Sequence, residues 1–225
     1  MIGNGSTTNA SLLTPERGEK IIEAGLDRIN ISIEGISNEQ YKNFSDVKLE
    51  FSSILENVRY FYSIRDGCDM LVKINGDSLS EDDKKRFLEL FGDHCDKIYI
   101  EHVMGCWPNF EFDGVQINND FGIYGNEIVE RDVCPYPFYS IAINSDGIVS
   151  VCFLDWSKKL VIGDCRFQPI DEIWQSEQLN AYRKLFLKGK RKQHPICGNC
   201  GQMSHGMPDN LDPHADEIYK KIFAD

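Results

Sequence analysis

"CPYPFYSIAINSDGIVSVC" (134–152) places two cysteines at the ends of a hairpin pattern. "FYSIAIN" and "IVSVCFL" read as strands, and Ser-Asp-Gly between them is a tight-turn signal. Cys134 is thus expected before the first strand and Cys152 within the second. A hairpin folds its outer ends together, so these two thiols can meet. Downstream, "CGNC" puts Cys197 and Cys200 on one tight turn. Four such sulfurs can enclose a tetrahedral metal ion or an iron–sulfur cube. Four buried thiolates without a metal would repel one another and take up protons.

Composition narrows the classes. The chain has 225 residues, 41% hydrophobic and 27% charged, enough for a packed core. Its net charge of −12 opposes phosphate backbones and anionic membrane surfaces, so no nucleic-acid or membrane partner is expected. The basic run "KGKRKQH" (188–194) reads as a solvated helix end, where cations suit the helix dipole. The N-terminus lacks a basic segment followed by an apolar one, and no apolar stretch reaches membrane-span length. A cytoplasmic location is expected. In that compartment eight cysteines point to metal or redox chemistry rather than four disulfides. Cys68, Cys95, Cys106 and Cys165 have no paired spacing and read as core or incidental residues.

Upstream of the hairpin, helix and strand alternate. "TPERGEKIIEAG" has Thr14 to cap, Pro15 for the first turn and Gly25 to stop. "RINISI" (28–33), "MLVKI" (70–74) and "KIYIEHV" (97–103) read as strands. Phe51, Ile54, Leu55, Val58 and Phe61 give a helix over about 49–65. Ser80 caps the acidic start of "EDDKKRFLELF". This alternation predicts an α/β fold with a parallel sheet and crossover helices. About three such units are too few to close an eight-stranded barrel, so a partial (half) βα barrel is expected. After Trp107 the style changes: 107–135 reads as a linker, and 169–187 reads as one helix. The expected domains are 1–115, a partial barrel, and 116–225, a small hairpin-and-helix cluster domain.

Residue types alone leave zinc and iron open. Four-cysteine zinc ribbons use two C-x-x-C knuckles, whereas seventeen residues separate Cys134 from Cys152 here, which leans toward a cluster. The run from Cys134 through "NSDGIVSVC", "IGD" and "IDEIWQS" to "CGNC" resembles the SPASM/Twitch auxiliary-cluster domain of radical S-adenosylmethionine enzymes. Twelve residues separate Cys134 from Gly147 and four separate Gly147 from Cys152, as that motif requires. "TTNASLLTPERGEKIIEAGLDRINISIEG" is similar to the mid-barrel stretch of radical SAM domains. The resemblance implies one auxiliary [4Fe-4S] cluster held by Cys134, Cys152, Cys197 and Cys200. It also implies that Asn9, Ser32 and Glu34 sit near bound S-adenosyl-L-methionine. Read from the residues alone, these three are polar groups at strand ends, equally suited to turn hydrogen bonding.

Two departures qualify the resemblance. No three cysteines have the C-x-x-x-C-x-x-C spacing that holds the family's catalytic cluster, and the glycine-rich "GGEP" strand is absent. The chain is therefore expected to be the C-terminal part of a longer enzyme or a shortened product, inactive alone. Adenosylmethionine would bind only if the missing N-terminal segment completed the site. Position 206, six after Cys200, is glycine where full SPASM domains carry another cysteine, so a single cluster is expected. No catalytic residue can be assigned; Asp155 reads as a solvated strand-end carboxylate. The resemblance implies an unidentified substrate, a peptide, sugar or small metabolite, attacked by a 5′-deoxyadenosyl radical. The alternatives are a non-catalytic scaffold that associates through its open half barrel, and a structural four-cysteine zinc protein.

Overall fold

A computed structural model describes residues 3–106, 120–206 and 208–223. The chain forms two compact units, Met1–Val103 and Met104–Asp225. The boundary expected at 115/116 lies outside the described residues.

The first unit is built on four parallel strands in sequential order: β1 (Gly5–Thr8), β2 (Arg28–Ile33), β3 (Asp69–Asn75) and β4 (Lys97–Glu101). Helices α1 (Pro15–Glu23), α2 (Asn38–Ser45), α3 (Phe51–Ile64) and α4 (Glu81–Phe91) lie in the connections. This is the partial barrel the alternation predicts. Successive side chains on a strand point to opposite faces. Ile29, Ile31 and Ile33 of β2 and Met70, Val72 and Ile74 of β3 are buried against Ile54, Val58, Phe61, Phe87 and Phe91 of the helices. The opposite face carries half-buried Asn30, Ser32, Lys73 and Asn75. Parallel sheets usually read as apolar on both faces, so a polar face marks where chemistry can be placed. On it Lys73 Nζ pairs with Glu101 Oε2 at 2.9 Å, joining β3 to β4. Buried Asn30 Oδ1 has no hydrogen-bond partner among the described residues.

Helix α2 was not foreseen. Its eight residues lack an apolar period, and it forms because Ser37 Oγ accepts the Gln40 amide and Tyr41 packs into the core. In α4 Ser80 Oγ accepts the Asp83 amide at 3.1 Å while the Asp83 carboxylate faces the Ser80 amide, a reciprocal capping box. Ser80→Ala is expected to cost about 1 kcal/mol in urea denaturation followed by circular dichroism. An unchanged midpoint would show that the cap is idle.

The second unit has a three-stranded antiparallel sheet, β5 (Ala142–Ile143), β6 (Ile148–Ser150) and β7 (Val161–Asp164). Its helices are α5 (Ile170–Trp174), α6 (Glu177–Leu187), α7 (Gln202–His205) and α8 (Ala215–Phe223). The β5–β6 turn is closed by Gly147 N donating to Asn144 O at 2.9 Å, and Gly147 takes φ +86°, a conformation that favours glycine. The strands are shorter than expected. Tyr136–Phe138 is a 3-10 turn rather than strand, and Cys152 lies two residues beyond β6. Strand β7 was missed because its four residues carry little pattern. The single helix expected over 169–187 is two. Ser176 adopts extended backbone and its hydroxyl accepts the Leu179 amide at 3.2 Å, so it starts α6 rather than continuing α5.

Candidate metal centre

Cys134, Cys152, Cys197 and Cys200 come from three separate segments and line one cavity of about 350 Å³. Cys134 precedes the 3-10 turn, Cys152 follows β6, and the C-x-x-C forms a short 3-10 turn over Cys197–Asn199 before α7. The remaining wall is mostly apolar, including Val151, Leu160, Phe186, Ile196 and Met203. Among the described residues, no three histidine, cysteine, aspartate or glutamate side chains stand close enough to hold one metal ion.

Burial raises every one of these thiols above its ordinary value. Cys152 reaches about 11 and Cys197 about 12, and the other cysteines add repulsion to both. Cys134 is raised further still, and Cys200 is raised as well. Backbone amides and one cation oppose this. Leu154 N–H faces Cys152 Sγ at 3.4 Å. The Tyr136 amide favours the charged form of Cys134, and those of Gln202 and Met203 favour that of Cys200. Arg191 does the same for Cys197 and Cys200. Amides aimed at sulfur suit thiolates that carry negative charge when metal-bound. The donor set is soft: Asp155, the carboxylate on the wall, is already committed.

That commitment corrects the expectation of a solvated Asp155. It is 7% exposed and accepts from Ser150 Oγ at 2.8 Å and from the amides of Lys159 and Leu160 at 2.9 and 2.8 Å. It folds the loop after Cys152 back onto β6. In the basic run at 188–194 the lysines are exposed as expected, and the correction concerns Arg191. Arg191 is 4% exposed; its Nε donates to Asp132 O at 3.2 Å and its Nη2 to Arg131 O at 2.9 Å, and Nη1 donates to Cys197 O. One guanidinium therefore ties the approach to Cys134 to the C-x-x-C turn. No spacing rule separates it from its lysine neighbours in sequence.

His194 Nδ1 accepts the amides of Ile196 and Cys197 at 3.3 and 3.1 Å, which places the ring proton on Nε2. Burial holds its pKa below the ordinary 6.5. Between the folded value and 6.5 the unfolded chain binds a proton that the folded chain does not. The histidine's contribution is therefore complete above 6.5 and is lost as pH falls through the folded value. Melting temperatures should fall more steeply on acidification below pH 6.5 in the wild type than in His194→Asn, which keeps an acceptor but does not titrate. Equal slopes would exclude the histidine.

The other expected site residues lie in the first unit. Asn9 follows β1, and its Oδ1 accepts from Ser11 N and Oγ at 3.1 and 2.8 Å, a local turn. Ser32 is on the polar face of β2. Glu34 follows β2; burial raises its pKa, and nearby Lys73 opposes the rise. Cys68 and Cys95 are buried in the first unit, and Cys165 is exposed. Cys106 differs from the expectation of an incidental residue, because Cys200 Sγ lies 3.6 Å from its carbonyl oxygen.

Residues 134–201 match the model of SPASM, an iron–sulfur cluster-binding domain, and residues 2–88 match that of the radical SAM superfamily. The chain is similar to the S-adenosyl-L-methionine-dependent 2-deoxy-scyllo-inosamine dehydrogenase of Niallia circulans, 31% identical over 71 residues, covering 32% of this chain and 28% of that one. It is also similar to GTP 3',8-cyclase of Staphylococcus aureus, 29% identical over 132 residues, covering 57% of this chain and 34% of that one. The chain spans about a third or less of these curated relatives. Among solved structures, anSMEcpe with bound AdoMet aligns with TM-score 0.56 at 14% identity, covering 98% of this chain and 72% of that one. SuiB of Streptococcus suis aligns with TM-score 0.53 at 11% identity, covering 79% and 50%. At such identities the likeness concerns the fold.

Proposed function

Since the chain belongs to the radical SAM superfamily and carries a SPASM domain, we propose that it binds one auxiliary [4Fe-4S] cluster through Cys134, Cys152, Cys197 and Cys200. The observation that carries this reading is the convergence of four cysteines from three segments on one cavity. The match of residues 134–201 to an iron–sulfur cluster-binding domain supports a cube over a single zinc ion.

When bound, such a cluster supplies a one-electron relay beside a substrate pocket. The chain's own residues do the positioning. Arg191 and His194 fix the C-x-x-C turn, Asp155 fixes the loop after Cys152, and apolar side chains exclude water. Because the thiols are protonated in the bare chain, loading releases protons and should weaken in acid.

Asn9, Ser32 and Glu34 are proposed to lie on the adenosylmethionine side. The sequence contains no C-x-x-x-C-x-x-C, so radical chemistry on a peptide, sugar or small metabolite in the cytoplasm requires that segment from elsewhere. Among the described residues no helix is long and apolar enough to cross a membrane. The edges β1 and β4 of the open sheet are the proposed places of association.

The test is metal and sulfide analysis of protein purified without oxygen. About four irons and four sulfides per chain are expected, with a brown colour. With dithionite and adenosylmethionine the same sample should form no 5′-deoxyadenosine. Colourless protein with one zinc would overturn the cluster reading. Deoxyadenosine would overturn the dependence on a missing segment.

A further inference from the structure

A fifth cysteine, Cys106, has its backbone beside the C-x-x-C. Cys200 Sγ lies 3.6 Å from Cys106 O. The backbone at Gly105–Cys106 is pressed against the residue after Cys200: a Cβ at Gly201 would lie 2.0 Å from Gly105 O and 3.5 Å from Cys106 Cα. Only glycine at 201 allows this approach, which brings the Cys106 backbone beside Cys200 within the same compact unit. The Cys106 thiol is also near enough to Cys152 and Cys200 for their charges to repel. The other three cysteines outside the cavity have no such placement: Cys68 and Cys95 belong to the first unit and Cys165 is exposed.

We propose that Cys106 is a reserve ligand of this metal centre, able to take the place of Cys200. The proposal rests on the cluster reading above. The exchange is a ligand substitution. An iron–sulfur bond to Cys200 is replaced by one to Cys106, the proton of the incoming thiol passes to the departing Cys200 thiolate, and no electron is transferred. The geometry makes it selective, because Cys106 lies against Cys200 and Gly201, whereas the contacts of Cys197 are with Arg191 and His194. Loss of Cys200 is therefore repairable from within the chain and loss of Cys197 is not.

The full chain, with ferrous iron and sulfide added anaerobically, separates the possibilities. Wild type, Cys106→Ala, Cys197→Ala, Cys200→Ala and the Cys106→Ala/Cys200→Ala double variant are compared by iron content, visible absorption and paramagnetic resonance after reduction. Cys200→Ala should keep most of its iron with a shifted resonance, while the double variant should fall to background like Cys197→Ala. Cys106→Ala alone should match wild type. In loaded Cys200→Ala, Cys106 should become protected from iodoacetamide relative to its reactivity in loaded wild type. Should Cys200→Ala lose its fold by circular dichroism, Cys200→Ser with and without Cys106→Ala supplies the same comparison. Iron lost as completely from Cys200→Ala as from Cys197→Ala would overturn the reserve role and leave the cluster reading intact. Wild-type protein that takes up no iron would overturn the cluster reading itself.

Discussion

Cys197→Ala is expected to yield colourless protein with background iron and a destabilised C-terminal unit. Cys197 is the cysteine most firmly fixed in the cavity, with its carbonyl held by Arg191 and its amide by His194. Its removal leaves three thiols around a space lined by four, and the nearby Cys106 lies against Cys200 instead. A small metal domain draws much of its folding free energy from its ligands, so the loss should appear as an early melting transition as well as in iron content. Cys68→Ala and Cys95→Ala serve as controls. Both residues are buried in the N-terminal core, and burial pushes Cys95 up to about 11, an inert thiol. Their removal should leave iron at the wild-type level. A brown Cys197→Ala protein with full iron would remove Cys197 from the ligand set.

Arg191→Met should cost roughly 3 kcal/mol, because three carbonyl acceptors lose a charged donor that nothing else replaces and each such loss costs about 1–3 kcal/mol before relaxation. In a chain of this size that corresponds to a melting temperature lower by about 10 °C. The carbonyls belong to Arg131, Asp132 and Cys197. The variant should therefore also load iron poorly, since the segment approaching Cys134 and the C-x-x-C turn are no longer tied together. Arg191→Lys should recover little, because an ammonium cannot span three acceptors with a planar fork. Calorimetry and iron analysis on the same samples test both parts. A methionine variant within about 1 kcal/mol of wild type would show that solvent can take the arginine's place.

The strands and helices of the first unit were legible because each carries its own signal. Ile29, Ile31 and Ile33 alternate with polar residues, Phe51 through Phe61 recur at helical spacing, and Ser80 stands before three acids. Such patterns reflect burial on one face and do not depend on distant residues. In the second unit the local signals were weaker. A hairpin was expected and found, but β5 has two residues and β7 was missed. Those strands are held by the core around Val149, Val151, Ile162 and Ile173 rather than by their own length. Likewise the helical pattern over 169–187 concealed a break, since Ser176 offers the backbone a cap in place of another helical turn.

By itself the sequence determined the class of the molecule: βα alternation, the hairpin with Cys134 and Cys152, the C-x-x-C, and the absence of a C-x-x-x-C-x-x-C. These are properties of spacing, and spacing is written in the chain. Only the tertiary structure decided that Arg191 is a buried clasp and not one more solvated cation, that Asp155 is a buried brace, and that Cys106 lies against Cys200. Each of these depends on partners distant in sequence or on a loop closed by backbone amides. A charged or polar side chain can be buried only where acceptors or donors converge on it, and that convergence exists once the fold has formed.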